Sequence, residues 1–184
     1  MSKVIPFNFL KTSDLIKGAT YEGGIASNLS SEPISKLLPV GNQAGIRFIG
    51  TVATPRLVVL YTTLNDRDWP DELTSDKVIY FGDNKSPGKE IHDTIGNQVL
   101  RSIFHSFYLR KSYPPILLFS KGFKGFDRIF RGILAPGYEG LNEMEDLIAV
   151  WRTKEGERFQ NYRAVFNILP VEIVERDTLE SIIM

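Results

Sequence analysis

Apolar and polar positions fall in short runs along this chain, and their period changes from one run to the next. LVVLYTTL, Leu57 to Leu64, is apolar almost without interruption, the pattern of a strand covered on both faces. VIYFG from Val78, PILLFS from Pro115 to Ser120, FDRIFRGIL from Phe126 to Leu134, DLIAVWR from Asp146 to Arg152 and YRAVFNIL from Tyr162 to Leu169 predict further strands. KEGE reads as a hairpin-like connection ahead of the last one. In FDRIFRGIL, strict alternation puts Phe126, Arg128, Phe130 and Gly132 on one face and Asp127, Ile129, Arg131 and Ile133 on the other. One segment has a helical period. With Asp93 or Thr94 as its cap, it aligns Ile95, Val99, Leu100, Ile103, Phe104 and Phe107 in one stripe. Ahead of these, VGNQAGIRFIGTV is a glycine-punctuated loop feeding a strand. Ser31 is placed to cap a short helix through Leu38, ended by Pro39.

Many short strands, one strong helix and few βαβ units predict an α+β domain built on a strongly curved sheet or barrel with flanking helices. The expected organisation is a single structural domain, with residues 1–40 an irregular, partly helical lead-in packed on a main body of residues 41–184. The final run, VERDTLESIIM, starts an amphipathic segment, which leads us to expect that the natural protein continues.

Composition narrows the function. The 184 residues are enough for a real core, and 42% hydrophobic against 24% charged is the balance of a folded chain. With no cysteine, disulfides and thiolate chemistry are excluded and zinc sites of the Cys/His type lose their ligands, since only His92 and His105 remain. No apolar run reaches bilayer length and the N-terminus lacks a signal-peptide core, so a cytoplasmic protein is expected. The charges cancel, 22 basic against 22 acidic, which argues weakly against a polyanionic partner. They are unevenly placed, however. Between Arg101 and Tyr138 seven basic residues face only Asp127, so the average could conceal a basic face or reflect an ordinary solvated surface.

No phosphate-binding glycine loop, nucleophile elbow or dinucleotide fingerprint is present. What stands out is DRDWPDEL, Asp66 to Leu73. Trp69 and Asp71 are two apart, so an extended backbone presents both on one side, and Pro70 biases Trp69 towards that geometry. Tyr80 follows on the next strand. Two aromatic planes with a carboxylate between them make a slot for a flat polar ring. The same residues would equally serve to anchor the loop on the core. Acids at Asp71, Glu72 and Glu90 also raise a metal-dependent nuclease as an alternative, although Asp71 and Glu72, being consecutive, diverge in an extended segment.

Five strings, LVVLYTTLNDRDWPD, YFGDNKSPGKEIHDT, GNQVLRSIF, LAPGY and DLIAVWRTKEGERFQNYRA, resemble the N-terminal domain of AspBHI-type restriction endonucleases, which cut DNA containing modified cytosine. That resemblance implies a variant of the SET- and RING-associated (SRA) fold and a module that flips 5-methylcytosine out of duplex DNA into an aromatic pocket. It implies no cofactor and no active site in this chain, with cleavage left to a C-terminal nuclease domain of a prokaryotic parent. By the family's nine-residue spacing, Asp71 faces the base edge and Tyr80 stacks on the base, with Trp69 as the second plate. Asn42, Gln43 and Arg47 on the glycine loop are then candidates to enter a groove, and Lys85, Ser86, Lys89 and Arg128 to contact DNA. Another modified nucleic acid would fit the same slot.

Overall fold

The computed structural model describes residues 3–184; Met1 and Ser2, the start of the expected lead-in, lie outside the described residues. Among the described residues there are twelve strands: β1 (Val4–Ile5), β2 (Leu15–Ile16), β3 (Thr20–Tyr21), β4 (Ile46–Gly50), β5 (Pro55–Thr62), β6 (Glu72–Leu73), β7 (Lys77–Phe81), β8 (Ile116–Lys121), β9 (Arg128–Pro136), β10 (Leu147–Lys154), β11 (Glu157–Ile168) and β12 (Ile173–Val174). The α-helices are α1 (Ile34–Leu37), α2 (Ile95–Tyr108), α3 (Glu143–Asp146) and α4 (Arg176–Ile183). Ten strands form one mixed sheet ordered β4-β5-β8-β9-β11-β7-β6, with β10 joined to β11 and the β1–β3 pair joined to β9.

The two-sided burial of β5 and β8 explains their unbroken apolar sequences. Val58, Leu60, Ile116 and Leu118 pack under α2 through Val99, Leu100, Ile103 and Phe104. Leu57, Val59, Leu117 and Phe119 pack on the opposite side against Leu10, Ile34 and Leu38 of the lead-in and Leu179 of α4. The lead-in is thus part of the second core layer, and its β3 pairs antiparallel with β9. A third, smaller cluster gathers Trp69, Ile79, Phe81, Phe159 and Val165.

The sheet does not close. Its two ends, β4–β5 and β7–β6, approach without backbone pairing, so the barrel alternative is not realised. Side chains bridge the seam instead. The Tyr80 hydroxyl donates to the Tyr61 carbonyl at 3.0 Å, and the Thr62 hydroxyl donates to Asp71 Oδ2 at 2.6 Å. The residues between Thr62 and Glu72, including DRDWPD, are the covalent crossing of that seam.

The structure departs from four local expectations. Gly132 pairs with Leu118 and Phe130 with Phe119, so Arg131 is an extra residue bulged out of β9. The bulge breaks the alternation, and Phe130 and Ile133 reach the same core cluster. Thr94 holds the N-cap position of α2 but its side chain makes no cap bond; Asp83, at the start of the loop that leads into the helix, instead accepts from the Gly96 and Asn97 amides at 2.8 and 2.9 Å. Ile95 points outward, 58% exposed, because the stripe begins only at Val99. Ser31 does not cap α1; Glu32 accepts from the Ser35 amide there, and the helix stops at Leu37.

Candidate nucleic-acid interface

The open seam of the sheet holds a cavity of about 570 Å³, within the range of small-molecule sites. Asp71, Thr62, Tyr61 and Tyr80 line it from the two sheet ends, and Asn42, Gln43, Arg47, Lys85 and Arg128 line it from the surrounding loops and strands. Seven of the ten residues singled out in the sequence therefore meet here although they span positions 42 to 128.

Asp71 is set with both carboxylate oxygens engaged. Oδ2 accepts from the Thr62 hydroxyl and Oδ1 from the Phe81 amide at 2.8 Å. Burial raises its pKa, and the two donors only partly offset this. Each oxygen keeps acceptor capacity for a ligand N–H. Tyr80 is 3% exposed, and its phenol is pushed well above its ordinary range, first by burial and then by the nearby Asp71 charge. Tyr80 leaves room above it for glycine alone: a Cβ on Gly45 would lie 2.6 Å from its hydroxyl oxygen. The preceding residue, Ala44, holds φ at 70°, a conformation unusual for alanine.

The opposite wall is braced by a buried charge cluster. Arg47 donates to Glu32 Oε2 at 3.0 Å and to the Ala44 and Gly41 carbonyls, which fixes the glycine loop. Arg128 Nε lies 3.4 Å from Glu32 Oε1, close enough for charge attraction but misaligned for a hydrogen bond. Its guanidinium stands 4.5 Å from the Tyr61 ring centroid. The two arginines are 4% and 7% exposed, so their main work is to shape the wall.

Beyond the cavity, residues 82–91 are fastened by three asparagines. Asn161 accepts from the Asn84 amide and the Asn97 side chain and donates to the Gly82 carbonyl at 2.9 Å. Asn97 in turn accepts from the Asp83 amide. A Cβ on Gly82 would fall 1.8 Å from Asn97 Oδ1, so this turn tolerates only glycine. Lys85 projects from the fastened loop to pair with Asp66 at 2.8 Å.

Comparison with known proteins decides the family. Residues 15–184 match the family model described as "Restriction endonuclease AspBHI N-terminal". The chain belongs to this family. Two solved structures of similar proteins superpose closely. One is the "DNA recognition domain of the cytosine modification-dependent restriction endonuclease LpnPI", at 43% identity and TM-score 0.94, covering 99% of this chain and 86% of that one. The other is the "DNA modification-dependent restriction endonuclease AspBHI", at 38% identity and TM-score 0.92, covering 98% of this chain. This chain spans 49% of that AspBHI chain. Among curated proteins none matches.

In this AspBHI-type domain the cavity does not collect every residue expected of it. Trp69 is 2% exposed and packs on Phe81 and Phe159 at centroid distances of 5.4 and 5.9 Å. It joins the Ile79 and Phe81 face of β7, whereas Tyr80 belongs to the Val78 face, so the two rings do not form opposing plates. Ser86 and Lys89 are exposed on the fastened loop outside the cavity lining. Arg101, Arg110, Arg128 and Arg131 each line a different concavity, so the basic run does not build one face. Two lining residues, Tyr61 and Thr62, were hidden in the apolar LVVLYTTL run, whose only signal was a tyrosine and threonines at its end.

Among the described residues no helix is long and apolar enough to cross a membrane. None of their His, Asp and Glu side chains gather in threes as a cation site.

Proposed function

We propose that this chain is the DNA-recognition domain of a modification-dependent restriction endonuclease. It binds duplex DNA containing 5-methylcytosine and receives the flipped base in the seam cavity, in the cytoplasm of a prokaryotic cell. The observation that carries this reading is the doubly held Asp71 carboxylate in a cavity walled by Tyr80 and Tyr61. The printed descriptions of the LpnPI domain and of AspBHI support it. Cleavage belongs to a separate part of the parent, in keeping with an AspBHI chain about twice as long.

The chemistry follows from the cavity. An ionised Asp71 accepts from the cytosine amino group and repels the carbonyl that thymine presents at the same place. A base on an aromatic wall gains about 1–3 kcal/mol, comparable with the few kcal/mol lost on unstacking it. Tyr61, half-buried beside Arg128, offers more ring surface to a ligand than the enclosed Tyr80. The methyl group alone adds about 0.8 kcal/mol on burial, so discrimination by contact alone stays modest. Asn42 and Gln43, exposed on the loop beside the cavity, suit base edges next to the flipped nucleotide.

The test is direct binding of matched duplexes with and without 5-methylcytosine at one stated salt concentration. Preference for the modified duplex, abolished by Asp71→Ala, is expected. Equal affinity for both duplexes, unchanged in the variant, overturns the reading.

A further inference from the structure

Trp69 drew attention in the sequence and has no place in the base cavity, but it organises a second concavity. The Arg152 guanidinium lies 5.0 Å from the Trp69 indole centroid. Arg152 sits on β10 directly opposite Phe159 of β11, the residue that packs against the indole. Beside this stack lies a groove of about 250 Å³ lined by Arg67, Lys85, Arg152 and Lys154, with Asp68 as its one carboxylate. Lys85 lines both this groove and the base cavity, so the two adjoin.

Three of the four cations have no partner of their own. Lys85 is paired with Asp66, but among the described residues Arg67, Arg152 and Lys154 form no ion pair. Glu157 faces Lys154 across the hairpin register without bonding to it. The groove is therefore an uncompensated positive concavity on a chain of zero net charge.

We propose that this groove is a phosphate track for the backbone of the bound duplex, with Arg152 held ready on the Trp69 indole. This rests on the DNA-recognition reading above and adds a surface to it. Stacking on an indole leaves the guanidinium edge free for phosphate oxygens and removes side-chain freedom before DNA arrives. Asp66 couples the two concavities. One of its oxygens accepts from the Asp68 and Trp69 amides at 3.0 Å and shapes the loop, and the other holds Lys85 at the junction. A base in the cavity and a phosphate in the groove would then be held by one loop.

The test uses the double variant Arg67→Gln/Lys154→Gln, because both side chains are exposed and unpaired, with thermal unfolding to confirm an unchanged fold. Binding of duplexes with and without 5-methylcytosine is measured across a salt series. The expected result is the same fold-loss on both duplexes, a log–log salt slope shallower by about 2 and an unchanged preference for the modified one. If wild type prefers the modified duplex and the variant matches it in affinity and slope, the track is wrong and the base cavity stands. Loss on the modified duplex alone makes these residues base readers and also overturns the track. If wild type shows neither preference nor salt slope, the DNA reading fails and the track with it.

Discussion

The Thr62 hydroxyl donates to Asp71 Oδ2 across the one seam where the curved sheet fails to close. A sheet that closed by pairing its edge strands β4 and β6 would have joined their backbones directly and left no room for a ligand. Because the seam is held by side chains, its gap is both structurally fixed and chemically equipped.

Thr62→Val keeps the shape of the side chain and removes the donor. A hydrogen bond to a charged group contributes about 1.5–3 kcal/mol, so preference for the modified duplex is expected to fall by about tenfold or more. Thr62→Ser, which restores the hydroxyl, should recover it. Paired titrations of the three proteins with the same labelled duplexes check this.

Acid should weaken modification-dependent binding before it unfolds this site. Burial raises the Asp71 pKa, so its ionised fraction falls at a higher pH than that of an exposed aspartate, and in the proposed base-reading role its acceptance from the cytosine amino group should fall with it. The stability linkage has the opposite sign. A carboxyl with a raised folded-state pKa makes the folded state the stronger proton binder, so its contribution is complete below the unfolded pKa and is lost as pH rises through the folded one. Binding measured as pH is lowered should therefore decline while the fold, followed by circular dichroism, gains from this group. Asp71→Asn should remove that part of the binding profile.

Glu32 is a fold residue at the cavity wall. Glu32→Ala leaves Arg47 and Arg128 buried with the carboxylate between them removed. Breaking a buried ion pair from one side costs about 3–5 kcal/mol, a loss urea unfolding would resolve. A variant as stable as wild type would show that the arginines are hydrated where they stand.

How far the sequence could be read depended on whether a residue's partners were near or far. The two-faced burial of Leu57–Leu60 was legible because an unbroken apolar run of strand length needs cover on both faces. Asp71 and Tyr80 were expected together from the spacing that the family resemblance implies, and both line the seam cavity. Arg47 and Arg128 were legible as candidate DNA contacts, but not as a buried pair, because Glu32, which lies between them, carries no local signal in SSEPISK. The Asn84–Asn97–Asn161 network was invisible for the same reason, since Asn161 comes from a distant strand, whereas Asp83 as the cap of α2 and the bulge at Arg131 are nearby in sequence but follow from loop and hairpin geometry that no residue pattern announces.

Trp69 offers the sharpest separation between anchoring and stacking. Its indole fills the cluster of Phe81 and Phe159 and stands on the face of β7 away from Tyr80. Trp69→Ala is expected to lose about 3–5 kcal/mol of stability, as for other large aromatic side chains truncated in a core. Trp69→Phe keeps most of the apolar contact and an aromatic ring beneath Arg152. It should bind modified and unmodified duplexes with nearly the wild-type ratio while unfolding at a lower temperature. If the indole were instead a plate of the base pocket, the phenylalanine variant would lose its preference for the modified duplex without a matching loss of stability. Measuring both quantities on the same preparation decides between a tryptophan that holds the loop and one that holds the base.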